Sequence, residues 1–240
     1  MQNTSALYDQ IFAESDHRFE SKLEIRDRTT NAFIGKYAEN DLISITTNIQ
    51  TFNNTFEVGN AVAGEIDIVM VKPSVEIPPM AKLMPYVRVR NKTQVSEWLM
   101  QGVYYVDTRE ESKPQSGEEV LILHGYDAML FAEQEYIKSS LSWPAGLRDI
   151  LDEICAALDY TLDGRTLGGI SNATNIEQTP VGFTYREMLG YIAGLSGGNF
   201  VFNEQGKLRF ITHRAIPAGT NLLIDSGYNV ITFGGDAILV

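Results

Sequence analysis

Three histidines, 31 carboxylates, one cysteine and one serine set among glycines are the residues of this 240-residue chain with chemistry to offer. His17, His124 and His213 lie far apart, each in or beside a strand-like run. None has the i, i+4 spacing of helical metal ligands, so they read as half-buried polar residues. A glycosidase needs two carboxyl groups about 5 to 9.5 Å apart in a cleft, and nothing in the sequence marks such a pair. Glu110-Glu111 and Glu118-Glu119 bracket residues 112–117 at the tip of a predicted hairpin, a solvated loop rather than a cation site. Gly194-Leu195-Ser196-Gly197-Gly198 has the letters of a nucleophile elbow, but that motif needs a strand before the serine and a helix after it. Here the order is reversed and a helix C-cap fits. The glycines of 164–169 lack the Lys-Ser/Thr of a phosphate-binding loop. Cys155 excludes an intrachain disulfide and a Cys-rich zinc site, and it falls on the apolar side of a predicted helix as an inert thiol. Arg88 and Arg90 share one face of a basic strand, to be met by solvent or by acidic residues of another subunit.

The best-specified elements are architectural. Thr184 with Glu187 three positions on forms a capping box. Leu189, Ile192 and Leu195, with Met188 and Tyr185 beside them, follow at helical spacing, and Gly197-Gly198 ends the helix. Phe200, Phe202, Leu208 and Phe210 then alternate around a Glu204-Gln205-Gly206 turn, the pattern of a hairpin. A second helix is predicted after Trp143-Pro144, with Pro144 at its first position and Leu147, Ile150, Leu151, Ile154 and Leu158 as its stripe. The two helices are expected to pack over the hairpin, with a Gly-, Asn- and Thr-rich connection over 162–180.

Ahead of these, a short helix at 7–12 precedes a strand at 19–28. Runs at 43–49, 63–71, 83–90, 103–108 and 120–124 read as further strands, a succession that points to an antiparallel barrel or sandwich. In 63–71, Ile66, Ile68 and Met70 share one face while Glu65 and Asp67 take the other, as in a half-solvated strand. Beyond 214 the character returns to β, with strands predicted at 222–224 and 229–233. The apolar ending at 237–240 looks like a strand in mid-course, so a longer protein is expected.

The formal charge of −12 opposes the phosphate neutralisation on which nucleic-acid binding depends. It suits a surface that must not hold DNA. Neither a basic n-region nor an apolar run of about 18 residues is present, so neither a signal peptide nor a membrane span is expected and synthesis is expected in the cytoplasm.

Phe56-Glu57-Val58-Gly59-Asn60-Ala61-Val62-Ala63, Gln101-Gly102-Val103-Tyr104-Tyr105-Val106-Asp107 and His124-Gly125-Tyr126-Asp127-Ala128-Met129 resemble the first domain of phage tail hub proteins. Tyr185-Arg186-Glu187-Met188-Leu189-Gly190-Tyr191-Ile192-Ala193, Gly197-Gly198-Asn199-Phe200 and Gly206-Lys207-Leu208-Arg209-Phe210 resemble the small α+β domain that follows it. The family comprises the baseplate hub of contractile tails and the N-terminal structural region of tail-associated proteins in other phages and prophages. The resemblance covers about 50 to 214.

It implies a mixed β and α+β fold: a tail-tube-like antiparallel β-barrel over 1–130, a small α+β domain of two helices and a hairpin over 131–214, and the first strands of a second β-barrel over 215–240. It also implies a virion structural protein without catalysis, cofactor or metal, a trimer whose ring caps or extends the tail tube and passes DNA. Distal tail or tube proteins and tip or fibre proteins would be its partners, with no membrane and no specific nucleic-acid binding. Made in the bacterial host cytoplasm, it would be assembled into the virion tail, with Glu65 and Asp67 lining the channel. Two other classes compete: a tail-associated peptidoglycan hydrolase, and a β-rich host carbohydrate-binding module with Trp98 and Trp143 as its aromatics. Both tryptophans have simpler places, Trp98 at a strand end and Trp143 at a helix entry.

Overall fold

The computed structural model describes residues 4–49, 57–113, 119–136, 139–212, 231–233 and 236–238. Helix α1 (Ala6–Phe12) is capped by the Ser5 side chain, which accepts from the Tyr8 N–H. It leads into β1 (Arg18–Arg26), β2 (Phe33–Ala38), β3 (Leu42–Asn48), β4 (Glu65–Val71), β5 (Lys82–Arg90), β6 (Leu99–Met100), β7 (Tyr104–Ser112) and β8 (Val120–Asp127). All belong to one sheet, in the order β2-β1-β5-β7-β8-β4-β3, with β6 a short addition beside β5. Every pairing in it is antiparallel.

Period-two alternation decides the faces. Along β1 the charged residues Arg18, Glu20, Lys22, Glu24 and Arg26 share one side, while Leu23 and Ile25 on the other are fully buried. Leu23, Ile25, Ile66, Ile68, Met70, Leu83, Val106 and Leu123 converge in one apolar cluster. The sheet therefore curls around that cluster, but it does not close as the expected barrel would. Its terminal strands β2 and β3 are joined by a tight turn, Asp41 N–H donating to Ala38 O at 2.8 Å, yet among the described residues no ladder links them. Strand β2 was not expected, because Gly35-Lys36 interrupts its apolar alternation.

The chain then passes through a 3₁₀ helix (Ala128–Glu133), β9 (Ala145–Gly146), α2 (Leu147–Leu158), a 3₁₀ turn (Gly164–Gly168), β10 (Asn175–Ile176), α3 (Tyr185–Ser196), β11 (Gly198–Phe202) and β12 (Leu208–Thr212). Strands β13 (Ile231–Phe233) and β14 (Asp236–Ile238) pair with each other. The strand expected at 222–224, His213 and residues 239–240 fall outside the described residues.

Pro144 does not open α2. It precedes β9, and the helix starts three residues later with Gly146 as an N-cap that has no side chain to offer. The cap comes from elsewhere in sequence: Asn172 Oδ1 accepts from the N–H groups of Arg148 at 2.8 Å and Asp149 at 3.3 Å. A β-carbon on Gly146 would lie 2.3 Å from that oxygen, so glycine is what admits the distant cap. In α3 the capping box forms as expected, and Gly197 ends the helix at φ 72. Both helices pack on the β11–β12 hairpin, with Ile150, Ile154, Leu189, Ile192, Phe200 and Phe210 in one core. Leu195, expected on that face, is exposed. At about 100° per residue it sits at the rim of the stripe through Met188 and Ile192.

One segment binds the two cores. Gly59 N–H donates to Gly198 O at 3.0 Å, Phe200 N–H to Asn60 O at 2.8 Å and Val62 N–H to Phe200 O at 2.9 Å. Residues just ahead of β4 thus lie parallel beside β11, through an Ala61–Phe200 bridge, and Ala61 belongs to the helical core.

Candidate functional site

Strand β4 lies between β3 and β8, and its alternation works as the sequence implies. Ile66, Ile68 and Met70 are fully buried, whereas Asp67 is exposed and Glu65 half-buried on the opposite face. Across the ladder Asp67 faces Thr46 and His124, and Glu65 faces Asn48 and Tyr126. His124 Nδ1 donates to Asp67 Oδ1 at 2.8 Å, and the His124 ring stands edge-on to Tyr126 at 4.8 Å between centroids. Glu65 lines a pocket of about 330 Å³ with Ala63, Tyr126, Leu130, Glu133 and Arg186. Arg186, also in its lining, donates to Ala61 O at 2.8 Å and to Glu133 at 2.5 Å. The two carboxylates singled out in the sequence therefore share one solvent-washed face, and Asp67 is engaged by a histidine that sequence distance gave no reason to pair with it.

The other candidates are dispersed. Nδ1 of His17 meets Glu14 O at 2.6 Å just ahead of β1, whereas His124 lies on β8. Near the acidic hairpin tip, Lys72 bonds Glu111 at 2.6 Å and Lys113 approaches Glu119 at 3.4 Å. Glu118 falls outside the described residues. Ser196 is the last residue of α3, as a C-cap reading requires. Cys155 is buried in the helical core, and that burial pushes its thiol up to about 12. Among the described residues no group of three or more His, Cys, Asp and Glu side chains could hold a metal ion, and no helix is long and apolar enough to cross a membrane.

Arg88 and Arg90 turn to a partner within the chain. Glu20 on β1, its side chain 9% exposed, accepts from Arg88 Nε at 2.7 Å and from Arg90 Nη1 at 2.9 Å. Arg90 and Arg88 together hold the Glu20 carboxyl below its ordinary range against the opposing effect of burial. Arg88 also lies 4.2 Å over Trp98, and Lys22 is set between Tyr86 and Trp98 at 4.2 and 5.0 Å. Trp98 is thus engaged by cations, while Trp143 packs against the helical core. The period-two charge string of β1 was the available signal for this face.

Among the buried polar residues that the sequence does not single out, Asp127 and Asn199 tie distant segments together. Asp127, 4% exposed at the end of β8, accepts from Gly64 N–H at 2.7 Å through one oxygen and from Met129 N–H at 2.9 Å through the other. Burial pushes its carboxyl up to about 7, against the lowering effect of those two N–H groups and of Arg186. Asn199, fully buried on β11, accepts from the Gly59 and Asn60 N–H groups, both at 2.9 Å, and donates to Glu57 O at 2.7 Å. An Asp followed by the start of a 3₁₀ helix is a legible N-cap signal. Nothing local announces Asn199, whose partners lie far back in the sequence.

No protein-family model matches the chain, and no curated protein does. Solved structures do. The 43 kDa tail protein of prophage MuSo2 from Shewanella oneidensis superposes with a TM-score of 0.52 at 16% identity, covering 84% of this chain and 58% of that one. A tail protein from Neisseria meningitidis MC58 gives 0.46 at 14% identity, over 79% of this chain and 51% of that one. A chain of the Francisella PdpA-VgrG complex gives 0.48 at 9%, over 80% and 31%. This chain therefore spans little more than half the length of the MuSo2 protein, and within that span its fold is the fold of a prophage tail protein.

Proposed function

We propose that the chain is a structural subunit of a phage or prophage tail, without catalysis of its own. In this reading it is a hub subunit that assembles as a trimer into a ring capping or extending the tail tube, joins distal tail or tube proteins to tip or fibre proteins, and leaves a channel for DNA. The observation that carries the reading is the fold shared with the MuSo2 tail protein over 84% of this chain. The charge of −12 supports it, because a conduit for a polyanion gains from repelling it. The exposed Asp67 and the half-buried Glu65, on one face of β4, are our choice for the channel wall. The β4 register supports that choice, since Glu65 and Asp67 lie on the face opposite the buried Ile66, Ile68 and Met70.

Electron microscopy of the purified chain, with light scattering in parallel, tests this. Threefold ring-shaped particles and a mass in multiples of three times 26.7 kDa support the hub. Particles without a threefold axis overturn the ring.

A further inference from the structure

The sheet ends in two edges of different character. Strand β2 carries Lys36 in its middle, a charge of the kind that keeps edges from pairing. Strand β3, Leu-Ile-Ser-Ile-Thr-Thr-Asn, carries none, and the sequence stays uncharged from Leu42 to Phe56. Its one partner among the described residues is β4. Among the described residues its outer row of backbone N–H and C=O groups therefore has no ladder partner, in a neutral strand rich in β-branched residues, the composition that templates pairing.

The core is also unfinished at this edge. Ile66, Ile68 and Met70 on β4 are fully buried, but the β3 residues opposite them are not. Leu42 and Ile45 are half-buried and Thr47 is exposed. Ile43, at the register shift of the β3–β4 ladder, is 60% exposed. One more extended strand would satisfy the free row and cover Leu42 and Ile45 together.

We propose that this strand is β3 of a second copy, paired antiparallel across a two-fold axis near Ile45. Charge selects this occupant: two molecules of −12 repel over most of their surface, and a neutral strand is the edge at which self-pairing sets no like charges opposite one another. Pairing about Ile45 places Ser44 opposite Thr46 of the second copy on the solvent face and keeps Leu42, Ile45 and Thr47 of both strands toward the core side. Such a contact is isologous, and it is additional to any threefold ring. With the ring it gives a mass of six chains, and without the ring a mass of two.

The test is a charge swap read by light scattering across a wide concentration range, with hydrogen exchange over Leu42–Asn48 and thermal unfolding to confirm the fold. Ser44→Lys with Thr46→Lys sets lysine opposite lysine twice, and we expect the mass to halve and the dissociation constant to rise at least tenfold. Ser44→Lys with Thr46→Glu sets lysine opposite glutamate twice, and we expect the unsubstituted mass and the amide protection to return. A mass of three or six chains that the two lysines leave unchanged overturns the β3 contact while leaving the ring standing, and a dimer that they leave unchanged overturns both. A dimer that the lysines reduce to a monomer keeps the β3 contact and removes the ring. An unsubstituted chain that stays monomeric throughout, with β3 amides unprotected, overturns both.

Discussion

Asn199 Oδ1 accepts the backbone N–H of Gly59 at 2.9 Å across 140 residues of sequence. The same oxygen serves Asn60 N–H, and the amide nitrogen serves Glu57 O. Gly59 N–H keeps a second acceptor in Gly198 O, so Asn199→Ala takes the hydrogen bond chiefly from Asn60. A buried donor stripped of its acceptor costs about 1–3 kcal/mol, and urea unfolding of Asn199→Ala should show a loss in that range. A loss under about 0.5 kcal/mol, the scatter of ordinary surface substitutions, would mean that Asn199 does not hold the two cores together.

Gly190 and Gly194 on α3 face the same segment at different distances. A β-carbon on Gly190 would lie 2.8 Å from Gly59 O, while one on Gly194 would sit in ordinary contact, 3.5 Å from Gly59 Cα. Alanine favours a helix interior over glycine by about 1 kcal/mol. Gly194→Ala should therefore be neutral to stabilising and Gly190→Ala destabilising. Thermal unfolding that moved both in the same direction would contradict this packing.

Asp127 makes stability depend on pH with a definite sign. Its folded carboxyl is pushed up to about 7, whereas an unfolded aspartate titrates near about 3.9. The folded state binds the proton more tightly, so this group's contribution is full below about pH 4, declines as pH rises toward 7 and is flat above. Asp127→Asn should flatten that decline. It should also lower stability overall, because its Nδ2 cannot accept one of the two N–H groups. Denaturation midpoints from pH 4 to 8 for both proteins check this, and parallel curves would refute it.

Glu20 works in the opposite sense. Arg90 and Arg88 lower its carboxyl, so its contribution is present above the ordinary glutamate range and is lost as pH falls through the lowered folded value. Glu20→Gln should cost about 1–2 kcal/mol at neutral pH, discounted because both arginines are partly exposed. The gap between the two proteins should narrow on acidification below about pH 4. A gap constant with pH would assign the effect to packing of the side chain rather than its charge.

Glu65→Gln with Asp67→Asn tests the channel wall without endangering the fold. Asp67 is 64% exposed and its pair with His124 is of the surface kind, worth about 0–1 kcal/mol. Unfolding midpoints should stay close to those of the unsubstituted protein. A ring reconstruction with both side chains on its outer rim would remove them from the channel.

The elements set by local rules were legible. The α3 capping box and the Phe200–Phe210 alternation depend on neighbours within a few residues, and both formed as read. So did the inward Ile66, Ile68 and Met70 against the outward Glu65 and Asp67. What stayed hidden depends on distant partners. Strand β2 is held by its ladder to β1 despite Gly35-Lys36, and α2 starts at Leu147 because Asn172 supplies its cap. At the candidate face, the His124–Asp67 pair exists only once β4 and β8 are neighbours. The open seam between β2 and β3 is equally a matter of sheet path, which alternation within a strand does not encode.

The parallel contact of residues 59–62 with β11 sets an order on biosynthesis. A ribosome delivers this segment long before Gly198–Phe202, and chains grow at about 5–20 residues per second. For those seconds the strands around Ile66 and Leu23 can already curl together, while the lead-in to β4 waits with its amides in water. A nascent chain arrested near residue 130 would thus carry a sheet whose entrance is unfastened, and β11, emerging late, is what fastens it.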